Sequence, residues 1–154
     1  MIEPVNAEEY TTQQTRRSPA QFEFVKLHID KGVARITLHR PEHNLLNEAM
    51  LREIADGIAF AGDRDDAKLI VLDSACKVFC GGIDIGEYTS QRVFQMLDAF
   101  HAAFAGMLEV GKPVICVVNG PATERTNGAD ELWSSNFVPV TSRFAASSEL
   151  LRSS

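Results

Sequence analysis

The stretch KVFCGGIDIG, residues 77–86, holds the residues of this chain best suited to chemistry. Two adjacent glycines follow Phe79 and Cys80, and then Ile83, Asp84 and Ile85 alternate apolar and acidic before Gly86. A glycine pair costs backbone entropy, which is offset where something must approach the main chain closely. A loop leaving the carboxyl end of a buried parallel strand lies where open α/β sheets bind ligands. Residues after the glycines can present N–H groups that stabilise charge developing on a carbonyl oxygen, by ~3–4 kcal/mol per donor. The turn Asn119-Gly120-Pro121-Ala122 follows a second apolar run in the same sense. Two loops at neighbouring strand ends can place two donors on one oxygen, which is an oxyanion hole. The same glycine pair also fits a plain strand-to-helix turn. Neither G-x-G-x-x-G nor a P-loop is present, so nucleotide chemistry has no support.

The elements that must position these loops follow from periodicity. FEFVKLHI (22–29) and VARITLHR (33–40), joined by Asp30-Lys31-Gly32, read as a β-hairpin that Pro41 ends. Asn47 can cap a helix over 48–61 with Leu51, Ile54, Ala55 and Ile58 as its apolar stripe. KLIVLD (68–73) is an unbroken apolar run, the mark of a strand buried on both faces. Thr89 or Ser90 can cap a second helix to about 110, with Val93, Leu97, Phe100, Phe104 and Met107 on one face and Gly111 as its C-cap. PVICVV (113–118) is a second buried strand. Strand, helix and strand in this order make a βαβ unit, and the fold class is α/β.

Composition narrows the function. The chain has 154 residues, the length of one domain, a net charge of -6 and a pI near 5.2. No basic patch marks a nucleic-acid footprint. No apolar run is long enough to span a bilayer, and the first 21 residues are polar, without a signal-peptide core. Three cysteines without a secretion signal point to reduced thiols and a cytoplasmic location. Cys76 and Cys80 lack the second pair that a zinc site needs. His39 and His43 flank a proline and cannot share a helical face, so no metal is expected. Cys80 has no identifiable histidine partner to make it a nucleophile.

In order, GVARITLHRPEHNLLN, KLIVLD, FCGGIDIGEY and KPVICVVNGPA resemble the crotonase (enoyl-CoA hydratase/isomerase) superfamily over about residues 22–122. The connection GEYTSQRVFQMLDAFHAAF is similar to one subgroup, the cyclohexa-1,5-diene-1-carbonyl-CoA hydratases of anaerobic benzoyl-CoA degradation. The resemblance implies a crotonase-like ββα spiral core and a lyase that adds water to an enoyl- or dienoyl-CoA. It implies an acyl-CoA substrate, no further cofactor, and a homo-oligomer built as a trimer or dimer of trimers. Ile83 would give its N–H to the thioester oxygen. Gly82, Ile83, Asp84, Ile85 and Gly86 would line the passage for CoA and its pantetheine arm. The family often has lysine where Gly86 stands, and Arg40, Lys77 and Arg92 are candidate replacements toward the CoA phosphates.

The likeness loosens after Ala122. The family continues with a glycine triplet and a catalytic Glu-Leu pair, whereas this chain reads TERTNGADEL over 123–132. Aligned without a gap, the catalytic carboxylate falls on Gly128. With a three-residue insertion, Gly128 becomes the second oxyanion donor and Glu131 the first acid/base carboxylate. NFVPVTSRFAASSEL (136–150) faintly resembles the segment carrying the second carboxylate, which would be Glu149. Both glutamates also fit solvated surface charge. Residues 123–154, with seven serines, are expected to be a divergent or truncated segment that leaves the core incomplete on its C-terminal side. Isomerisation, thioester hydrolysis and a non-catalytic CoA-ester-binding remnant are the alternatives to hydration.

Overall fold

Apolar and polar residues alternate across VARITL, and in the computed structural model this run is the second strand of a hairpin. The structure describes residues 16–87, 89, 90 and 92–122. Strands β1 (Val25–Asp30) and β2 (Val33–Leu38) pair antiparallel with Asp30 opposite Val33. The first strand thus begins three residues later than its composition predicts, and Asp30 belongs to the ladder. Lys31 and Gly32 alone make the turn, with φ of 48° and 83°. Positive φ at both positions is what a two-residue type I′ turn requires.

From β2 the chain passes through α1 (Glu48–Gly62) to β3 (Leu69–Ser74), and through α2 (Val93–Glu109) to β4 (Val114–Cys116). The sheet order is β1-β2-β3-β4, with β2, β3 and β4 parallel. The expected βαβ arrangement is present, and Ile70, Val71 and Leu72 are all buried. One core joins Ala34, Ile36 and Leu38 of β2 to Leu51, Ile54 and Ile58 of α1 and to Met96 of α2. Each of the large side chains contributes ~2 kcal/mol by leaving water.

Helix α1 begins as its sequence predicts. Asn47 accepts the Met50 N–H through Oδ1 at 2.9 Å, so the side chain satisfies an otherwise orphaned donor. Less expected is Glu53, fully buried on the same helix. Its two carboxylate oxygens accept the N–H groups of Glu23 and Phe24 at 2.9 and 2.8 Å, and Arg17 lies 3.5 Å away. This carboxylate fixes how the chain enters β1.

Helix α2 departs from expectation twice. Its N-cap is Arg92 rather than Thr89 or Ser90, with no side-chain cap. The Thr89 carbonyl does the work instead, accepting the N–H groups of Arg92 and Val93 at 3.0 Å. The fully buried residues are Met96, Ala99 and Ala103, while Phe100 and Met107 of the predicted stripe are partly buried against the same core. Leu97 and Phe104 are exposed, and so are Phe94 and Leu108. The reason is proximity, because α1 and α2 pack side by side, and Ala99 and Ala103 let the two helices approach closely. Gly111, with φ of 70°, follows the helix as the left-handed residue predicted to end it.

Candidate functional site

The loop after β2 and the loop after β3 are joined by one buried side chain. Asn44, fully buried with φ of 48°, donates through Nδ2 to Ser74 Oγ at 2.7 Å and to the carbonyls of Val78 and Phe79 at 3.2 Å. Its Oδ1 accepts the Arg40 N–H at 2.7 Å. Asparagine tolerates this left-handed conformation and supplies both donors and acceptors. Sequence reasoning passed over Asn44. Its signal was a lone asparagine beside a proline turn, ahead of an apolar pair.

Both members of the glycine pair have a steric cause. A Cβ on Gly81 would lie 2.7 Å from the His43 carbonyl oxygen, and Gly82 has φ of 89°. The bare backbone at Gly81 therefore admits the neighbouring loop of the same chain. This close approach lets Leu46 form a parallel bridge with Ile83. Leu46 N–H donates to Gly82 O at 2.8 Å, and Asp84 N–H donates to Leu46 O at 2.9 Å. In such a bridge the groups of Ile83 itself point away from Leu46. Among the described residues the Ile83 N–H has no hydrogen-bond acceptor.

The second loop arrives on the other side. Pro121 O accepts the Phe79 N–H at 2.9 Å, Cys80 bridges Ala122 in parallel, and Asn119 Nδ2 donates to Ser74 O at 2.7 Å. A Cβ on Gly120 would collide with the Lys77 carbonyl oxygen, so no other residue fits there without moving the backbone. The loops following β3 and β4 are thus tied together through main-chain hydrogen bonds.

The remaining predicted residues distribute unevenly. Gly82, Ile83 and Asp84 are half-buried, whereas Ile85 and Gly86 are exposed in a short 3-10 turn. Asp84 binds the protein itself: Oδ2 accepts from Arg40 Nη2 at 2.8 Å and Oδ1 from Gly86 N–H at 3.2 Å. Arg40, one of three candidates from sequence for a phosphate contact, is occupied by Asp84, by the Leu45 carbonyl at 2.6 Å and by the ring of Phe24. Lys77 is exposed and, with His39, Glu42, His43 and Cys76, lines an open cleft of about 630 Å³. Burial raises the Cys80 thiol above its ordinary range, outweighing the Gly82 N–H that donates to its sulfur. A protonated thiol is a weak nucleophile. Gly128, Glu131 and Glu149 lie outside the described residues.

This α/β fold is shared with solved structures of enoyl-CoA hydratases. A structure of an enoyl-CoA hydratase/carnithine racemase from Magnetospirillum magneticum superposes with a TM-score of 0.60 at 24% identity, over 64% of this chain and 40% of that one. The enoyl-CoA hydratase/isomerase family model matches residues 28–125, and the chain belongs to that family. The 1,2-epoxyphenylacetyl-CoA isomerase of Escherichia coli is 31% identical over 65% of this chain and 41% of its own length. The peroxisomal fatty acid beta-oxidation multifunctional protein of Oryza sativa is 35% identical over 59% of this chain and 13% of its own length. The chain therefore spans less than half the length of these relatives. No helix among the described residues is long and apolar enough to cross a membrane.

Proposed function

We propose that this chain binds an acyl-CoA thioester through the Ile83 N–H and adds water to an enoyl- or dienoyl-CoA, with cyclohexa-1,5-diene-1-carbonyl-CoA as its preferred substrate. The observation that carries this reading is an N–H without an acceptor among the described residues while its neighbours on both sides are bridged to Leu46. When water adds to the conjugated double bond, electron density moves onto the thioester oxygen as an enolate. A donor already aimed at that oxygen lowers the barrier because no reorganisation is needed during the reaction. Gly128 would supply the second donor. Glu131 would orient and deprotonate the attacking water, and Glu149 would exchange the remaining proton. No metal or redox cofactor is called for, since CoA is part of the substrate. Family resemblance also supports a homo-oligomer, a trimer or dimer of trimers, and the cysteine usage supports the cytoplasm. The cleft at Lys77 is the candidate position for the CoA phosphates.

The identity shared with an isomerase favours a second reading on the same donor, in which a proton is moved within the acyl group and no water is added. Mass spectrometry of cyclohexa-1,5-diene-1-carbonyl-CoA and crotonyl-CoA after incubation with the purified chain separates these readings. A product one water heavier establishes hydration, and the thioester that reacts identifies the acyl class. An isomer of unchanged mass but altered chromatographic retention supports the second reading. Unchanged thioester from a folded chain contradicts catalysis and leaves thioester binding alone.

A further inference from the structure

We propose that Arg40 is a positioning residue for the oxyanion donor, acting through Asp84, an inference that rests on the reading of Ile83 as that donor. The Ile83 N–H is aimed by one isolated bridge of two hydrogen bonds, Leu46 N–H to Gly82 O and Asp84 N–H to Leu46 O. A ladder this short opens readily unless something else holds its two segments. Arg40 does so from one residue away on each side. Its Nη1 donates to the carbonyl of Leu45, which precedes Leu46, at 2.6 Å. Its Nη2 donates to the carboxylate of Asp84, which follows Ile83, at 2.8 Å. The planar guanidinium fixes the separation of its donors, so the two segments cannot slide past each other without breaking a bond.

The clamp is itself held in place. Asn44 Oδ1 fixes the Arg40 backbone N–H, and the guanidinium carbon lies 5.6 Å from the centre of the Phe24 ring. The Arg40 and Asp84 side chains are 25% and 21% exposed, so the pair is better shielded than an ordinary surface ion pair. The second oxygen of Asp84 closes the turn at Gly86. One carboxylate thus ties the residue after the donor both to the Arg40 loop and to the turn that follows.

Amide hydrogen exchange at Leu46 and Asp84, read by NMR on the full chain without ligand, tests the clamp in R40K, R40Q, D84N and the R40Q/D84N double variant. Exchange at both amides is expected to accelerate roughly tenfold in R40Q and in D84N, as loss of a charged hydrogen bond implies. It should accelerate less in R40K, which keeps the charge, and no further in the double variant. Amides of α1 should keep their rates, showing that the fold is intact. If R40Q also loosens α1, the near-isosteric D84N carries the test. Unchanged exchange at Leu46 and Asp84, or additive effects in the double variant, overturns the proposal. Adding crotonyl-CoA separates the clamp from the chemistry. A shift of the Ile83 amide proton in wild type that shrinks in R40Q at equal saturation supports positioning. Accelerated exchange in R40Q with no Ile83 shift in wild type retires Ile83 as the donor while leaving the clamp standing.

Discussion

The glycines and Asn44 make the most local claims. Alanine at Gly120 must displace the Lys77 carbonyl, and alanine at Gly82 must adopt a left-handed backbone, which costs it roughly 1–2 kcal/mol. Urea denaturation should therefore rank Gly120→Ala as more destabilising than Gly82→Ala. Asn44→Ala leaves Ser74 Oγ, two carbonyls and the Arg40 N–H without that partner. Its expected cost is about 3 kcal/mol, set by orphaned buried groups rather than by lost apolar area. Burial also raises the thiols of Cys80 and Cys116. The folded chain then holds those protons at a pH where the unfolded chain has released them. Below the ordinary thiol range both states are protonated and the effect vanishes; above it stability falls as pH rises. Thermal melting followed from pH 7 to about 10 should show this decline, and Cys80→Ala should reduce it. From sequence, Gly81-Gly82 could be seen to need a bare backbone. What approaches Gly81 could not, because a ligand and a neighbouring carbonyl make the same demand.

At the scale of elements, periodicity was decisive where one face was apolar and misleading where two were. The hairpin and α1 with its Asn47 cap each present one consistent pattern, and each forms close to where it was expected. Helix α2 carries bulky residues on one side and alanines on another. Bulk suggested the first as the core face, but the buried face is turned toward Met96, Ala99 and Ala103, so that Phe100 and Met107 stay at its edge and Leu97 and Phe104 are exposed. The register makes a contrast that chemical denaturation can check. Phe94→Ser, at a position 75% exposed, should change stability by no more than ~0.5 kcal/mol. Ala103→Leu, on the buried face, should cost ~1–3 kcal/mol by overpacking the helix pair. The opposite ranking would contradict this assignment of the buried face.

At the scale of the molecule, parallel strands bring together loops that are far apart in sequence. Arg40 and Asp84 are 44 residues apart, and Asn119 reaches back 45 residues to Ser74. No local pattern announces such pairs, whereas the family resemblance gave the order of the segments and hence the site. The sheet places the Ile83 loop between the loop after β2 and the turn after β4, and on this geometry the proposed chemistry depends. The most direct measurement is the Ile83 amide proton followed by NMR while the chain is titrated with crotonyl-CoA. A saturable downfield shift, larger at Ile83 than at Leu46 or Asp84, is what a thioester oxygen accepting that N–H predicts. Saturable binding that leaves the Ile83 amide unmoved would contradict the account, because the thioester would then be held elsewhere.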